Sequence, residues 1–264
     1  MIRALYSAAS GMKAEEVNVD NIANNLANAN TVGYKMRRAQ FQDLMYQSMQ
    51  QPGTSAGQQT VVPTGLQLGL GTRASSNEVV FTQGAYSETD NPLDLVIQGR
   101  GFFQIRLPSG ELAYTRAGQF HLDKDGNIVT SDGNPLEPQI TLPADAQQIV
   151  IATDGTVSYT LANQTAAQQA GQIQLANFQN PAGLNSIGRN LYTPTDASGD
   201  PTVGTPGGQE GLGSLMQGYV EQSNVSIVDE FVNLIQAQRG YEANSKVVQA
   251  ADQMYQQINN LTRG

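Results

Sequence analysis

The sequence predicts an α+β fold in which N- and C-terminal α-helices pair as a coiled-coil-like module and enclose a mainly antiparallel β central region. Three observations predict it. Apolar residues recur at three- and four-residue spacing at both ends of the chain, short apolar runs fill the middle, and Xaa-Gly dipeptides punctuate those runs.

The N-terminal helix is expected over about residues 3–29, because Ile2, Leu5, Ala9, Met12, Val19, Ala23 and Leu26 fall on one stripe, interrupted only by Glu16. Asn28, Asn30, Thr31 and Gly33 read as its stop signals. At the other end Ile227, Phe231, Leu234 and Tyr241 form one stripe, and Val247, Ala251, Met254, Ile258 and Leu261 form a seam of four-three spacing. Asn224 or Ser226 is expected to cap this helix, with Asp229 and Glu230 in its first turn, where the helix dipole favours acids.

Between the helices, strands are expected at 93–97, 101–105, 127–129 and 148–151. Ser109-Gly110, Asp125-Gly126, Asp132-Gly133 and Asp154-Gly155 supply the positive φ that hairpins require. Gln47–Gly65 and Thr193–Gly213, rich in Gly, Pro and small polar residues, read as linkers or long loops. Residues 83–91 resemble residues 217–224, an internal echo expected to be two strands that pair. The expected division is a helical domain at 1–35 and 225–264, a connecting region at 36–92 and 212–224 with an extended insert at 46–65, and an outer β domain at 93–211.

Composition removes much of catalysis. The 264 residues include no Cys, no Trp and a single histidine, His121, which excludes disulfide scaffolds, iron–sulfur sites, cysteine nucleophiles and multi-histidine metal centres. Twenty Asn and 30 Gln outnumber the 37 charged residues, so the polar character is mostly uncharged. A net charge of −9 supplies no basic field for a phosphate backbone, and no nucleic-acid partner is expected. No run approaches the roughly 20 apolar residues of a membrane span, and the N-terminus is too short in apolar residues and too polar for a secretory leader.

The motifs that imitate active sites lack their context. Gly53-Thr54-Ser55-Ala56-Gly57 matches a nucleophile elbow but sits after Pro52 among Gly and Gln, not between a strand and a helix. Asp123-Lys124-Asp125-Gly126-Asn127 is similar to the start of a calcium loop, yet Ile128 stands where glycine is needed and Asn134 where a bidentate Glu is needed. Gly99-Arg100-Gly101 has no third glycine and no following helix, so it serves a bulge or close strand packing rather than a dinucleotide. His121 alternates with Phe120 and Leu122 and is expected to face solvent. No catalytic residue, cofactor or metal is expected. The rival reading is a carbohydrate-binding or glycosidase-like β domain with helical termini, resting on Glu88, Asp90, Asp94 and Glu111, whose spacing is not specific.

Residues 22–35, Ile-Ala-Asn-Asn-Leu-Ala-Asn-Ala-Asn-Thr-Val-Gly-Tyr-Lys, resemble the N-terminal motif of the bacterial flagellar rod and hook family of axial proteins. Ser223-Asn224-Val225 and residues 230–246 are similar to that family's closing motif. Residues 98–104, 113–118 and 186–192, with the insert from Tyr46 to Gly65, resemble the distal-rod members of the family. Gly240 departs from the alanine common there.

The resemblance implies a structural subunit that polymerises into the helical drive shaft carrying torque from motor to hook. Its implied partners are further copies of itself, proximal rod proteins, the hook protein, a rod cap, the surrounding peptidoglycan- and outer-membrane-ring proteins and the flagellar type III export apparatus. Its implied place is the basal body, in the rod that crosses the periplasm. The candidate subunit-interface residues are Ile2, Leu5, Met12, Val19, Asn24, Asn25, Leu26, Phe231, Leu234, Tyr241, Val247, Met254, Ile258 and Leu261. The two helical zones, 1–35 and 223–264, hold a net charge of −1 and the region between them −8, so an amide-rich, nearly neutral inner tube and an acidic exterior are expected.

Overall fold

A computed structural model describes residues 2–51, 64–161, 166–208 and 211–261. The chain divides into two compact units. One comprises residues 1–27, 37–79 and 226–264, and the other residues 28–36 and 80–225.

In the helical unit, α1 spans Ile2–Ala27 and α2 spans Ile227–Leu261. α1 ends two residues before the expected limit, since Asn28–Asn30 already form a turn. Ser226 caps α2 by accepting the Asp229 N–H at 3.4 Å. Residues 37–79, expected as part of a connecting region, cluster with the helices: Arg37–Asp43 pairs antiparallel with Thr72–Val79, and Tyr46–Gln50 with Leu66–Gly69. Polar side chains of α1 tie down the first of these ladders. Ser10 Oγ accepts the Thr72 N–H at 3.2 Å, Asn21 Oδ1 accepts from Asn77 at 2.6 Å, and the Asn25 amide bonds both N–H and C=O of Arg37 at 2.8 Å.

The second unit is antiparallel β. Its main sheet runs Asn185–Gly188, Leu191–Thr193, Leu112–Thr115, Phe102–Arg106, Leu175–Asn177, Thr202–Gly204, and Leu136–Glu137 also pairs with Phe102–Arg106. A three-stranded sheet of Ala146–Ile151, Thr156–Leu161 and Gln168–Gln172 accompanies it. Leu95, Ile97, Phe103, Ile105, Phe120, Ile128, Leu136, Ile173 and Leu175, each no more than 1% exposed, fill the core. Full burial of such a side chain contributes roughly 1.5–3 kcal/mol, so this cluster dominates the unit's stability. The four hairpin glycines adopt the expected left-handed conformation, with φ of +88° at Gly110, +80° at Gly126, +81° at Gly133 and +83° at Gly155.

The echoed segments do pair: Tyr86–Glu88 lies antiparallel to Tyr219–Glu221. Three expectations need correction. Thr193–Gly213 is not a plain linker, because Thr202–Gly204 completes an edge of the main sheet and Ser198 is buried. Gln47–Gly65 begins inside a strand, while its tip and the Gly53–Gly57 motif lie outside the described residues. Asn224 does not cap α2. Its side-chain Oδ1 accepts the Met36 N–H and its Nδ2 donates to the carbonyls of Val80 and Thr82, which stitches together three separate stretches of the second unit.

Candidate functional site

α1 and α2 pack as an antiparallel pair. Gly11 lies against Asn244, Glu15 against Gly240 and Asn25 against Glu230, so one number falls as the other rises. The facing surface is made of small and polar residues. A β-carbon on Gly11 would come within 2.8 Å of the Asn244 amide, and one on Gly240 within 2.9 Å of a Glu15 carboxylate oxygen. Ala8, Ala14, Ile22, Ala237 and Ala251 are buried beside them. Small side chains let the backbones approach, and several large apolar residues of α2 stay partly exposed.

The outward residues are those the periodicity singles out. Phe231, Tyr241, Val247, Met254 and Ile258 are 45–49% exposed, and Leu261 is 82% exposed. Leu5, Met12, Val19, Leu26 and Leu234 are half-buried, and Asn24 is exposed. Ala9 and Ala23 of the expected α1 stripe are exposed as well, so the stripe is offset from the line that meets α2. Asn25 stands apart: it is 1% exposed and spent on the Arg37 backbone, leaving it no role on an outer face. The Ile2 side chain lies outside the described residues. On α2 these residues fall in two groups at different positions around the helix, Phe231, Leu234 and Tyr241 in one and Val247, Met254, Ile258 and Leu261 in the other.

Glu230, in the helical seam, is 4% exposed, with Oε2 unpartnered. Burial pushes its carboxyl pKa up, against the lowering effect of the Asn25 hydrogen bond, and the Asp229 charge adds to the rise.

A second constellation, in the β unit, joins motifs that are far apart in sequence. Lys35 Nζ contacts Glu221 Oε1 at 2.5 Å and donates to the Thr82 carbonyl at 2.7 Å. Arg116 Nη1 lies 3.6 Å from Glu221 Oε2, and its guanidinium donates to the carbonyls of Ile97 and Gly99. Glu221 Oε1 also accepts the Gly84 N–H at 2.9 Å. The Lys35 and Glu221 side chains are fully buried. Desolvation holds the Lys35 ammonium below its ordinary pKa even though Glu221 pulls it up, and Arg116 is lowered by burial in the same way. Two cations around one carboxylate, all shielded from solvent, make a structural clamp.

The clamp explains the glycine in the motif that precedes Lys35. Gly33 has φ +71°, donates its N–H to the Glu221 carbonyl at 2.8 Å, and would carry a β-carbon only 2.5 Å from the Ala117 backbone nitrogen. Periodicity and motif scanning do not find this clamp. Lys35 and Arg116 sit inside recognised motifs, but nothing in their spacing announces a shared carboxylate.

The other candidate groups do not converge on chemistry. His121 is exposed as expected, but Leu122, expected to face inward, is 42% exposed, because the short Phe120–Leu122 ladder ends there and enters the Asp123 turn. Asp94 is buried and accepts from Asn91, which makes it a turn-stabilising residue. No group of three or more His, Cys, Asp or Glu among the described residues is arranged to hold a metal ion, and no helix among them is long and apolar enough to cross a membrane.

Comparison with known proteins places these features together. Residues 5–35 match the model described as flagella basal body rod protein, residues 96–159 the flagellar hook protein FlgE/F/G D1 domain, and residues 216–261 the flagellar basal body rod FlgEFG protein C-terminal. The flagellar basal-body rod protein FlgG of Caulobacter vibrioides is 51% identical over 98% of this chain and 99% of its own length. That of Buchnera aphidicola (Schizaphis graminum) is 48% identical over 99% and 100%. That of Borreliella burgdorferi is 46% identical over the whole of both. Lys35, Glu221 and the whole of α2 fall within the matched end segments, Arg116 within the middle one, and on this similarity the chain belongs to the flagellar basal-body rod protein family.

Proposed function

We propose that the chain is a structural subunit of the flagellar distal rod, polymerising through its terminal helices into the shaft that carries torque to the hook. One observation supports this most: the helical pair spends its small and polar residues on itself and leaves Phe231, Tyr241, Met254, Ile258 and Leu261 outside. A monomeric enzyme gains nothing from such a face, whereas a filament built from heterologous, non-closing contacts requires one. Leu5, Met12, Val19, Asn24, Leu26, Leu234 and Val247 border the same contact surface. The nearly neutral, amide-rich termini suit an inner tube through which unfolded chains pass without electrostatic trapping.

On this reading the subunit resides in the basal body, in the rod that crosses the periplasm, and is exported by the flagellar type III route. Proximal rod proteins, the hook protein, the rod cap and the peptidoglycan- and outer-membrane-ring proteins are its neighbours. The absence of cysteine suits transfer to an oxidising compartment. The insert at 46–65 bridges copies along the axis and stiffens the shaft. Deleting residues 1–30 tests the proposal. Cells carrying the truncated chain are expected to build no rod, and rods of ordinary length in basal-body micrographs would overturn it.

A further inference from the structure

The β unit holds a cleft of about 230 Å³ lined by Phe81, Phe102, Phe178, Pro181, Arg100 and Arg116. Its aromatic wall is rigid, since Phe81, Phe102 and Phe178 interlock edge to face with centroids 5.3 and 5.8 Å apart. Its polar side is cationic. Arg116 is 5% exposed, lies 5.5 Å from the Phe102 ring centroid and has an Nε without a partner, and behind it Lys35 and Arg116 share the single carboxylate of Glu221. Arg100 is exposed beside the cleft, held between Gly99 at φ +114° and Gly101 at φ +132°, and makes no ion pair among the described residues. A basic notch with apolar walls on an acidic chain calls for a carboxylate flanked by an apolar side chain.

The chain carries such a group at the far end of the same strand. The hairpin after Phe102–Arg106 turns at Ser109-Gly110 and presents exposed Glu111 beside Leu112, which is 36% exposed. Arg100 precedes that strand and Glu111 pairs back near its end at Leu107, so at about 3.3 Å per residue the two lie roughly 20 Å apart and cannot meet within one chain. Notch and tip at opposite ends of one strand are the requirements for a contact that propagates from copy to copy without closing.

We infer that the cleft at Arg100 receives Glu111 and Leu112 from the hairpin tip of a second copy of this chain, joining the β units head to tail. This rests on the rod-subunit reading and adds to it a defined contact outside the helices. The test is charge reversal in cells, read as rods per cell in basal-body micrographs. Arg100→Glu and Glu111→Arg are each expected to lower rod number about tenfold, and the two together to restore it to within about twofold. Because the chain has no cysteine, rods built from an Arg100→Cys, Glu111→Cys variant are also expected to yield a ladder of multimers with a short bis-maleimide, while either single variant yields none. Single reversals that assemble like the parent, a combined variant as defective as the singles, or intact rods without a ladder would each overturn this contact while leaving the rod reading standing. A parent chain that builds no rod would overturn the rod reading itself.

Discussion

Replacing Glu221 by Gln removes the only carboxylate that faces Lys35 and Arg116 in the buried clamp, with little change in shape. The Lys35 ammonium is then left with neutral acceptors alone, the Thr82 carbonyl and the amide oxygen of the replacement, while Arg116 keeps the carbonyls of Ile97 and Gly99. Breaking a buried pair by deleting one partner costs about 3–5 kcal/mol, because the surviving charge is stranded in a medium that solvates it poorly. Lys35 is the more exposed to this penalty: its side chain is fully buried and desolvation already dominates its lowered pKa. Global stability is about 5–15 kcal/mol for most domains, so the loss is a large fraction of the total and lowers Tm by about 10 °C in a unit of this size. The assay is urea unfolding of the full chain followed by near-UV dichroism of its tyrosines, since there is no tryptophan. The pH dependence has a definite sign. With its folded pKa depressed, Lys35 binds its proton less tightly folded than unfolded, so its ionisation opposes folding at neutral pH and this opposition fades as pH rises through the depressed value. Stability of Glu221→Gln is therefore expected to recover in part toward alkaline pH. A variant within about 1 kcal/mol of the parent at neutral pH would refute the claim that this carboxylate holds the two cations in place.

The remaining predictions concern the seam and the motif glycine. Glu230→Gln removes a buried carboxylate with an orphaned oxygen and is expected to stabilise the helical unit by about 1 kcal/mol at neutral pH. The parent's seam gains on acidification, because the stability from a carboxyl whose folded pKa is raised is fully present below the ordinary carboxylate value and is lost as pH rises through the raised folded value. Thermal melts of parent and variant at pH 5 and pH 7 check this, and a variant melting below the parent at both would contradict it. Gly33→Ala drives a β-carbon into the Ala117 backbone and forces a left-handed φ on a side-chain-bearing residue, so a loss of at least about 2 kcal/mol is expected in urea unfolding. Gly240→Ala meets only the end of the flexible Glu15 side chain, so the helix-propensity gain of up to about 1 kcal/mol is expected to show as higher helicity by far-UV dichroism.

Much of the fold is legible because its signals are local. Hairpin glycines 110, 126, 133 and 155 demand positive φ wherever the chain goes, and the 3-4 spacing at both termini demands helices. The direction in which a helix faces is less local. Ala9 and Ala23 of the N-terminal stripe and Phe231 and Met254 of the two C-terminal ones are exposed, while the chain buries Ala8, Ala237 and Ala251 and sets Gly11 and Gly240 against the facing helix. The Asn-rich motif also hides its use. Asn25 bonds the Arg37 backbone of the neighbouring ladder and Asn21 accepts from the Asn77 side chain, an arrangement invisible until residues 37–79 fold back onto α1. Long-range charge placement is the least legible: Lys35, Arg116 and Glu221 are separated by 80 residues or more, and only the sheet topology brings them together.

Assembly is expected to depend on the exposed apolar residues of α2. Tyr241, Met254 and Ile258 are each about half exposed, so each has about 1 kcal/mol of apolar transfer left to gain on burial between copies. Replacing all three by Ser and examining basal bodies by electron microscopy, beside a urea unfolding curve of the purified chain, tests this most directly. The expected result is a chain that still unfolds cooperatively but assembles no rod. Rods of ordinary length and number from the triple variant would contradict the claim that this face builds the shaft.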